Sequence, residues 1–552
     1  NRQLSGEMGS TPDIEVAAFE YGAKLKPDDY RAGVRFGQSR YLADIFTAHR
    51  ESITRDITSD PGGPTGYVAI FDHGGPVLSG LMVPISMVLR RRGYQVFSIV
   101  AGRMPKLPGI EASGIMRSNG YGLGDQPVTT RLSNQWSIDW DNKIVACDGI
   151  NHYATFLESM TKVARGGKPR LDDPKQKKAF DDLVRRSDHM LCAAERLVEL
   201  ADKTRKPVRI AAIDTHFAPW GVIRRWCDVV GAKHNIHLIA LSASYENYFS
   251  NLKTKLATTV SIEDVTAKPD VRHPFLGGSK RFESYLSQHP VSEASVSAAI
   301  THIKVDRSQT QANPSAQRQY IISRIEQTRA RGGKVFAVFG KVLIDFAAPD
   351  DRGHVFADFS EWLRFLVDEV NKTKSLLIVK PHPHELRSEI VRDGVALLRD
   401  VLPAELGPNV EFLEHTAFNS YELADLVDCA MIWNGTISAE FPVLGCPVVG
   451  ESIWSARDYP IGNVHPRSRA EYAALLNGDA LPSVGKNLRS KACAFLHFMR
   501  SADVAIPFGY VKRGATNEDL GANELYLDQL EKLREFGDPN VERAADRFFE
   551  FT

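Results

Sequence analysis

Three apolar runs in the second half of the chain each pass straight into a polar loop: KVFAVFG at 334–340, SLLIVKPHPHE at 375–385 and DCAMIWNGTISAEFPVLGCPVVG at 428–450. Short β-branched and aromatic runs bounded by Gly, Pro or Asn predict strands, and they alternate with helical patterns such as EWLRFLVDEV at 361–370. A β–α–β–α–β order predicts a parallel sheet, whose outgoing loops lie along one crevice. Those loops carry Lys380, His382, His384, Glu385, Asn434, Thr436, Ser438 and Glu440, and the loop from 340 adds Gly340 and Lys341. NGTISAEFPVLG reads as a strand end turning into a helix at Gly435, with Thr436 or Ser438 near the first turn and Glu440 deeper. Free N–H groups and the positive end of the helix dipole make such a turn an anion site, and Lys380 adds a full charge. Two of the three loops therefore converge on a phosphate-bearing ligand.

Each of these residues also has a plain structural reading. Thr or Ser at a helix start is an ordinary N-cap, and a His before Pro an ordinary turn residue. His382 and His384 form an H-x-H pair that could ligate a metal, but spacing suggests no third ligand and Pro383 disfavours a regular strand. Asp350 and Asp351 read as solvated turn residues.

The first half repeats the grammar. TGYVAIFDHGGPVLSGLMVPISMVLRRRGYQVFSIV at 65–100 is strand, glycine loop, amphipathic helix, strand, and KPVRIAAIDTHFAPWGVIRRWCDVVGAKHNIHLIALSA at 206–243 is a second such unit. Asp72 and His73 stand at the end of the opening strand beside Gly74 and Gly75, where a ligand can come close to the backbone. Asp214 and His216 stand at the end of a later strand. All four are candidates for a catalytic base at a cleft, against the alternative that the Asp residues cap helices and the His residues are structural.

At 552 residues the chain exceeds one core of usual size, and two domains of ~200–250 residues fit it. The expected organisation is a helical extension at 1–60, a Rossmann-like domain at 61–260, a polar linker or lid at 261–332, a second Rossmann-like domain at 333–485, and helices at 486–552 that cross back to the first domain. The 68 basic and 68 acidic residues balance, so no global field draws the protein to nucleic acid or anionic membrane. Six cysteines without C-x-x-C spacing argue for reduced thiols and a cytoplasmic protein. The longest uncharged run, at 74–89, is too short to span a bilayer, which leaves peripheral contact with a membrane as the only kind expected.

A K-P-H-P-x-E loop at 380–385, followed one βα unit later by N-G-T-x-S-x-E at 434–440 and G-C-P-V-V-G at 445–450, resembles the nucleotide-binding half of bacterial capsule polysaccharide glycosyltransferases. These include the Kdo transferases and, more distantly, sialyltransferases with an "HP" motif and a Ser/Thr motif. The stretch covered is about 334–475, with weaker echoes of the family's N-terminal half at 114–126 and 138–153. The resemblance implies an α/β chain of the GT-B kind, with two Rossmann-like domains facing each other across a cleft, the second binding a CMP-activated sugar. Carried over, His382 and Pro383 match the HP motif and contact the nucleotide's phosphate, Thr436 and Ser438 match the Ser/Thr motif, and Glu440 lies on the ribose or the helix turn. His384 and the bulky Trp433 depart from the pattern, which leaves the donor sugar open.

The implied activity is transfer of a Kdo- or sialic-acid-like sugar onto a surface polysaccharide, glycolipid or related acceptor, with inversion, no metal and no cofactor beyond the nucleotide-sugar donor. Two rivals remain. A CDP-polyol phosphotransferase of the teichoic-acid type pairs an H-G loop with an H-P loop, as His73-Gly74 and His382-Pro383 do, but its W-H-G-T type companion motif is missing. A non-catalytic nucleotide- or sugar-binding protein is the other.

Overall fold

The computed structural model describes residues 64–72, 76–100, 135–212, 215, 217–243, 259–267, 279–306, 316–344, 353–386, 394–452, 459–512, 524–525 and 527–550. The expected extension at 1–60 and the motif at 114–126 lie outside them. The chain is α/β and divides into two units, residues 1–156, 178–276 and 501–552 in one and 157–177 and 277–500 in the other. Each is built on a largely parallel sheet, the two Rossmann-like halves expected of a GT-B chain.

In the first unit, β1 (Gly66–Asp72), β2 (Tyr94–Val100), β6 (Val208–Ala212) and β7 (Ile236–Ala243) run parallel. Burial of β1 and β6 on both faces explains their near-continuous apolar runs. The motif at 138–153 forms part of a small antiparallel sheet of β3 (Trp136–Asp139), β4 (Ile144–Cys147) and β5 (Ile150–Asn151). The large sheet continues beyond β7 with β8 (Thr259–Asp264), paired antiparallel. That strand falls where the polar pattern suggested the start of a linker. Its sequence TVSIED hides it, because Ser261, Glu263 and Asp264 are all buried, with Asp264 held at 2.8 Å by His237 Nδ1. Further along the expected linker three described helices belong to the second unit: Ser279–Gln288, Glu293–Asp306 and Ala316–Ala330.

The second unit carries β9 (Val335–Phe339), β10 (Leu376–Lys380), β11 (Val410–Phe412), β12 (Cys429–Ile432) and β13 (Val448–Gly450), all parallel, in the order β11-β10-β9-β12-β13. The chain starts in the middle, builds outward through β10 and β11, then returns to the other side of β9. Helix Phe359–Val370 places Phe359, Trp362, Leu363, Leu366, Val367 and Val370 in one stripe and is capped by Asp358, which accepts from Glu361 N–H at 2.8 Å. It covers the face that includes Phe336, Val338, Val379 and Met431. Helix Ile437–Leu444 puts Phe441 on the opposite face, with Ala337, Ile378 and Ile432. Because the helices that follow β9 and β12 leave to opposite faces, the carboxyl ends of these two neighbours open a crevice, the topological switch point of a doubly wound sheet.

Helix Lys486–Arg500 remains with the second unit, and from Ser501 the chain belongs to the first. There β14 (Ile506–Pro507) pairs with β8, and helix Pro539–Asp546 docks through an Arg92–Asp546 ion pair at 2.6 Å. Phe549 stacks on Tyr94 with ring centroids 4.0 Å apart.

Candidate functional site

The carboxyl end of the second sheet collects the polar residues that leave its strands. Along the rim run Lys380 and His382 from β10, Gly340 and Lys341 from β9, and Asn434 and Gly435 beyond β12. Strand alternation puts Lys380 on the same face as Leu376 and Ile378, which is also the face covered by helix Ile437–Leu444. Phe339 stands between them, its ring against Phe441 at 5.0 Å. A lysine amine and a helix N-terminus thus share one face and one end of the sheet.

The approach to that helix is open. Gly435 has φ +138°, a conformation closed to other residues, and a Cβ placed there would meet nothing within 4 Å. Thr436 sits at the N-cap position with helical dihedrals and makes no side-chain cap. The N–H groups of Thr436 and Ile437 find no acceptor among the described residues. The next two polar residues of the motif turn inward. Ser438 is fully buried and its Oγ donates to the Gly435 carbonyl at 2.7 Å, which ties down the turn. Glu440 is also fully buried, and its Oε2 accepts from the Tyr421 hydroxyl at 2.8 Å.

Lys380 is 2% exposed, and its Nζ donates to the His415 carbonyl at 3.3 Å. Burial pushes its pKa down to about 8, with Glu422 partly opposing. His415 in turn meets Glu385, Nε2 to Oε2 at 2.9 Å, and the other carboxylate oxygen of Glu385 accepts from Leu398 N–H at 2.8 Å. Glu385, itself buried, therefore couples the short helical turn Pro383–Leu386 to the carbonyl that holds Lys380. His382 is orientated within the same turn. The backbone N–H of His384 donates to His382 Nδ1 at 3.1 Å, so the neutral ring carries its proton on Nε2 and offers it as a donor. The His384 ring lies edge-on to it at 4.7 Å.

Gly340 and Lys341 have different parts. The missing Cβ of Gly340 is occupied by Leu398, whose Cδ2 would lie 2.5 Å from it, so glycine is required there for packing. Lys341 is largely buried with its amine 5.7 Å above the Phe359 ring. Sequence reasoning missed His415, which follows β11. The three-residue strand VEF is too short a signal, although a histidine after an apolar run obeys the same pattern as His382.

In the first unit, Asp72 is the last residue of β1, in register with Val100, and its side chain lies outside the described residues, as do His73, Asp214 and His216. Thr215, beside the last two, lies 3.4 Å from Arg224 Nη1. Among the described residues no group of three or more His, Cys, Asp or Glu is arranged to hold a metal ion, and no helix is long and apolar enough to cross a membrane.

No family model and no curated protein matches the chain. Among solved structures it is similar to KpsC, a beta Kdo 2,7 transferase of Thermosulfurimonas dismutans, with 11% identity over 64% of this chain and 88% of that one and a TM-score of 0.28. It is similar to a beta Kdo 2,4 transferase KpsC of the same organism, with 13% identity over 59% and 87% and a TM-score of 0.30. A structure of S. aureus MnaA with UDP is 10% identical over 78% and 91%, with a TM-score of 0.24. Likeness at these TM-scores assigns neither activity nor ligand to this chain.

Proposed function

We propose that the protein is a GT-B glycosyltransferase that moves a Kdo- or sialic-acid-like sugar from a CMP-activated donor onto a surface polysaccharide or related glycoconjugate, with inversion. The observation that carries this reading is the anion site at the end of the second sheet. A buried, half-satisfied amine at Lys380 shares a face with the open helix start at Gly435–Ile437. That pairing suits a phosphate that becomes a leaving group, since the helix N–H groups and the ammonium stabilise charge that grows as the glycosidic bond breaks. His382 supplies a neutral Nε2–H donor for a phosphate oxygen, and it can move its proton to that oxygen in the transition state. The base that takes the acceptor hydroxyl's proton comes from Asp72 or His73, or from Asp214 or His216. No resident metal or cofactor enters this scheme, and the reaction takes place in the cytoplasm.

The test is a thermal-shift panel of CMP, CDP, UDP, GDP and ADP against the wild type and His382→Ala, because a ligand that binds only the folded state raises its stability. Stabilisation by CMP that is lost in the variant is expected. A preference for UDP or GDP removes the CMP donor, and no response to any nucleotide removes the reading.

A further inference from the structure

We infer that Arg165 binds a second anionic group of the ligand, apart from the phosphate at the helix start, at a site to which the first half of the chain contributes a seated turn. Residues 157–177 belong to the second unit although they lie far from it in sequence. Helix Tyr153–Val163 ends in the turn Ala164-Arg165-Gly166-Gly167, with Arg165 at φ +55° and Gly166 at φ +83°. A non-glycine residue in that region is uncommon and is held there by its surroundings. Here the holding contacts are visible. The Arg165 carbonyl accepts from Ala396 N–H at 2.9 Å, and a Cβ on Gly166 would lie 3.0 Å from Leu343 and 3.6 Å from Ala396.

Those contact residues are the rim itself. Leu343 lies in the loop that leaves β9 through Gly340 and Lys341, and Ala396 leads to Leu398, which packs on Gly340 and donates to Glu385. The Arg165 guanidinium extends over Gly394, with Nη1 3.6 Å from where a Cβ would stand. Arg165 is exposed, and its guanidinium makes no hydrogen bond or ion pair among the described residues. Two other exposed arginines do find partners, Arg170 with Asp172 at 2.7 Å and Arg329 with the Leu426 carbonyl at 2.8 Å. The seat lies with Leu343 and Leu398, on the sheet face opposite Lys380. A planar fork of N–H donors at that place suits a carboxylate or a phosphate, bound through two parallel hydrogen bonds.

This inference rests on the nucleotide-donor reading above and names the charge that the donor must carry. Two ligand chemistries share it, a carboxylate on the transferred sugar and the second phosphate of a nucleoside diphosphate. The experiment is calorimetric titration of the wild type, Arg165→Gln and Arg165→Lys with CMP, CDP, a CMP-activated acidic sugar and inorganic pyrophosphate. The expected result is unchanged CMP affinity and a loss on the order of tenfold in Arg165→Gln for one of the doubly anionic ligands, partly restored in Arg165→Lys. Loss confined to the CMP-sugar identifies the carboxylate, and loss for CDP and pyrophosphate identifies the second phosphate. Equal affinity of wild type and Arg165→Gln for every ligand overturns the inference and leaves the donor reading standing. Arg165-dependent pyrophosphate binding without any nucleotide binding keeps the anion site and removes the donor reading. Binding of none of the four removes both. Arg165 is exposed, so the melting temperature of Arg165→Gln is expected to match the wild type, which separates lost affinity from lost fold.

Discussion

Arg209 in the first unit and Lys380 in the second are both buried cations on parallel strands, each hydrogen-bonded to a backbone carbonyl. Their surroundings differ in how many acceptors have been built for them. Arg209 Nε donates to the Phe548 carbonyl at 2.8 Å, and its Nη1 donates to Val208 O at 2.9 Å and to Asn235 O and Oδ1 at 3.1 and 3.2 Å. The guanidinium also lies 5.1 Å from the centre of the Phe549 ring. Lys380 has three N–H donors and one hydrogen bond, at 3.3 Å, among the described residues. Burial lowers the pKa of both, Arg209 to about 10 and Lys380 to about 8. A buried charge surrounded by acceptors serves the fold, because removing it strands those acceptors. A buried charge left short of acceptors at a strand's carboxyl end costs stability and is suited to a ligand that supplies them.

The largest effect is expected where the charge is satisfied. Arg209→Leu leaves the Phe548 carbonyl without its donor and loosens the returning C-terminal segment, so it should lower stability by about 2–4 kcal/mol, read from denaturant unfolding. Lys380→Met should do the reverse: stability equal to the wild type or above it, with nucleotide affinity lower by roughly ten- to a hundredfold. Equal tolerance of the two substitutions, or collapse of the Lys380 variant, breaks the contrast.

The pH dependence sharpens it. The folded-state pKa of Lys380 is about 8, against an ordinary value of 10.5. Below that window the amine is protonated in both states and its burial cost is fully present. Through the window the unfolded chain holds a proton that the folded one has released, so stability rises with pH. Nucleotide affinity should run the other way and fall above pH 8, because the bound phosphate needs the charged amine. Urea midpoints and calorimetry across this range, with Lys380→Met flat in both, are the check.

Glu385→Gln tests the coupling between the two ends of the site. It removes the acceptor of His415 and slackens the carbonyl that holds Lys380, for an expected cost of about 1–2 kcal/mol and a several-fold weaker nucleotide. A loss of stability with no change in affinity would confine Glu385 to the fold.

The smallest effect belongs to His152, a buried imidazole with neither ring nitrogen hydrogen-bonded among the described residues. Burial, with Arg225 nearby, lowers its pKa to about 4 from 6.5. As pH falls through this window the unfolded chain takes a proton that the folded one refuses, and stability is lost. His152→Phe, among Trp136 and Phe156, should be neutral or slightly stabilising near pH 7 and should flatten that acid limb in a melting-temperature series.

Much of the fold was legible because burial on both faces forces a parallel strand to be apolar throughout. KVFAVFG, SLLIVK and CAMIW announce β9, β10 and β12, and the polar residues just after them mark the rim. The same reasoning passed over TVSIED, whose charged side chains are buried with partners, and VEF, which is too short to show a pattern. Residue type at the strand ends, the glycine turn before a helix and the HP turn were thus determined by the sequence itself, since local backbone and solvation demands select them.

What each of those residues faces was decided by packing between segments far apart in the chain. Gly340 reads as a place for a ligand, yet Leu398 fills it. Ser438 and Glu440 belong to the same short motif as Gly435, but helical rotation turns the first two inward, toward the Gly435 carbonyl and Tyr421, and leaves Gly435 open. The order β11-β10-β9-β12-β13 is likewise a tertiary fact, because each strand could satisfy its hydrogen bonds against several neighbours. Only that order places the switch point between β9 and β12, and only the seating of residues 165–166 against Leu343 and Ala396 brings an arginine from the first half of the chain to its edge.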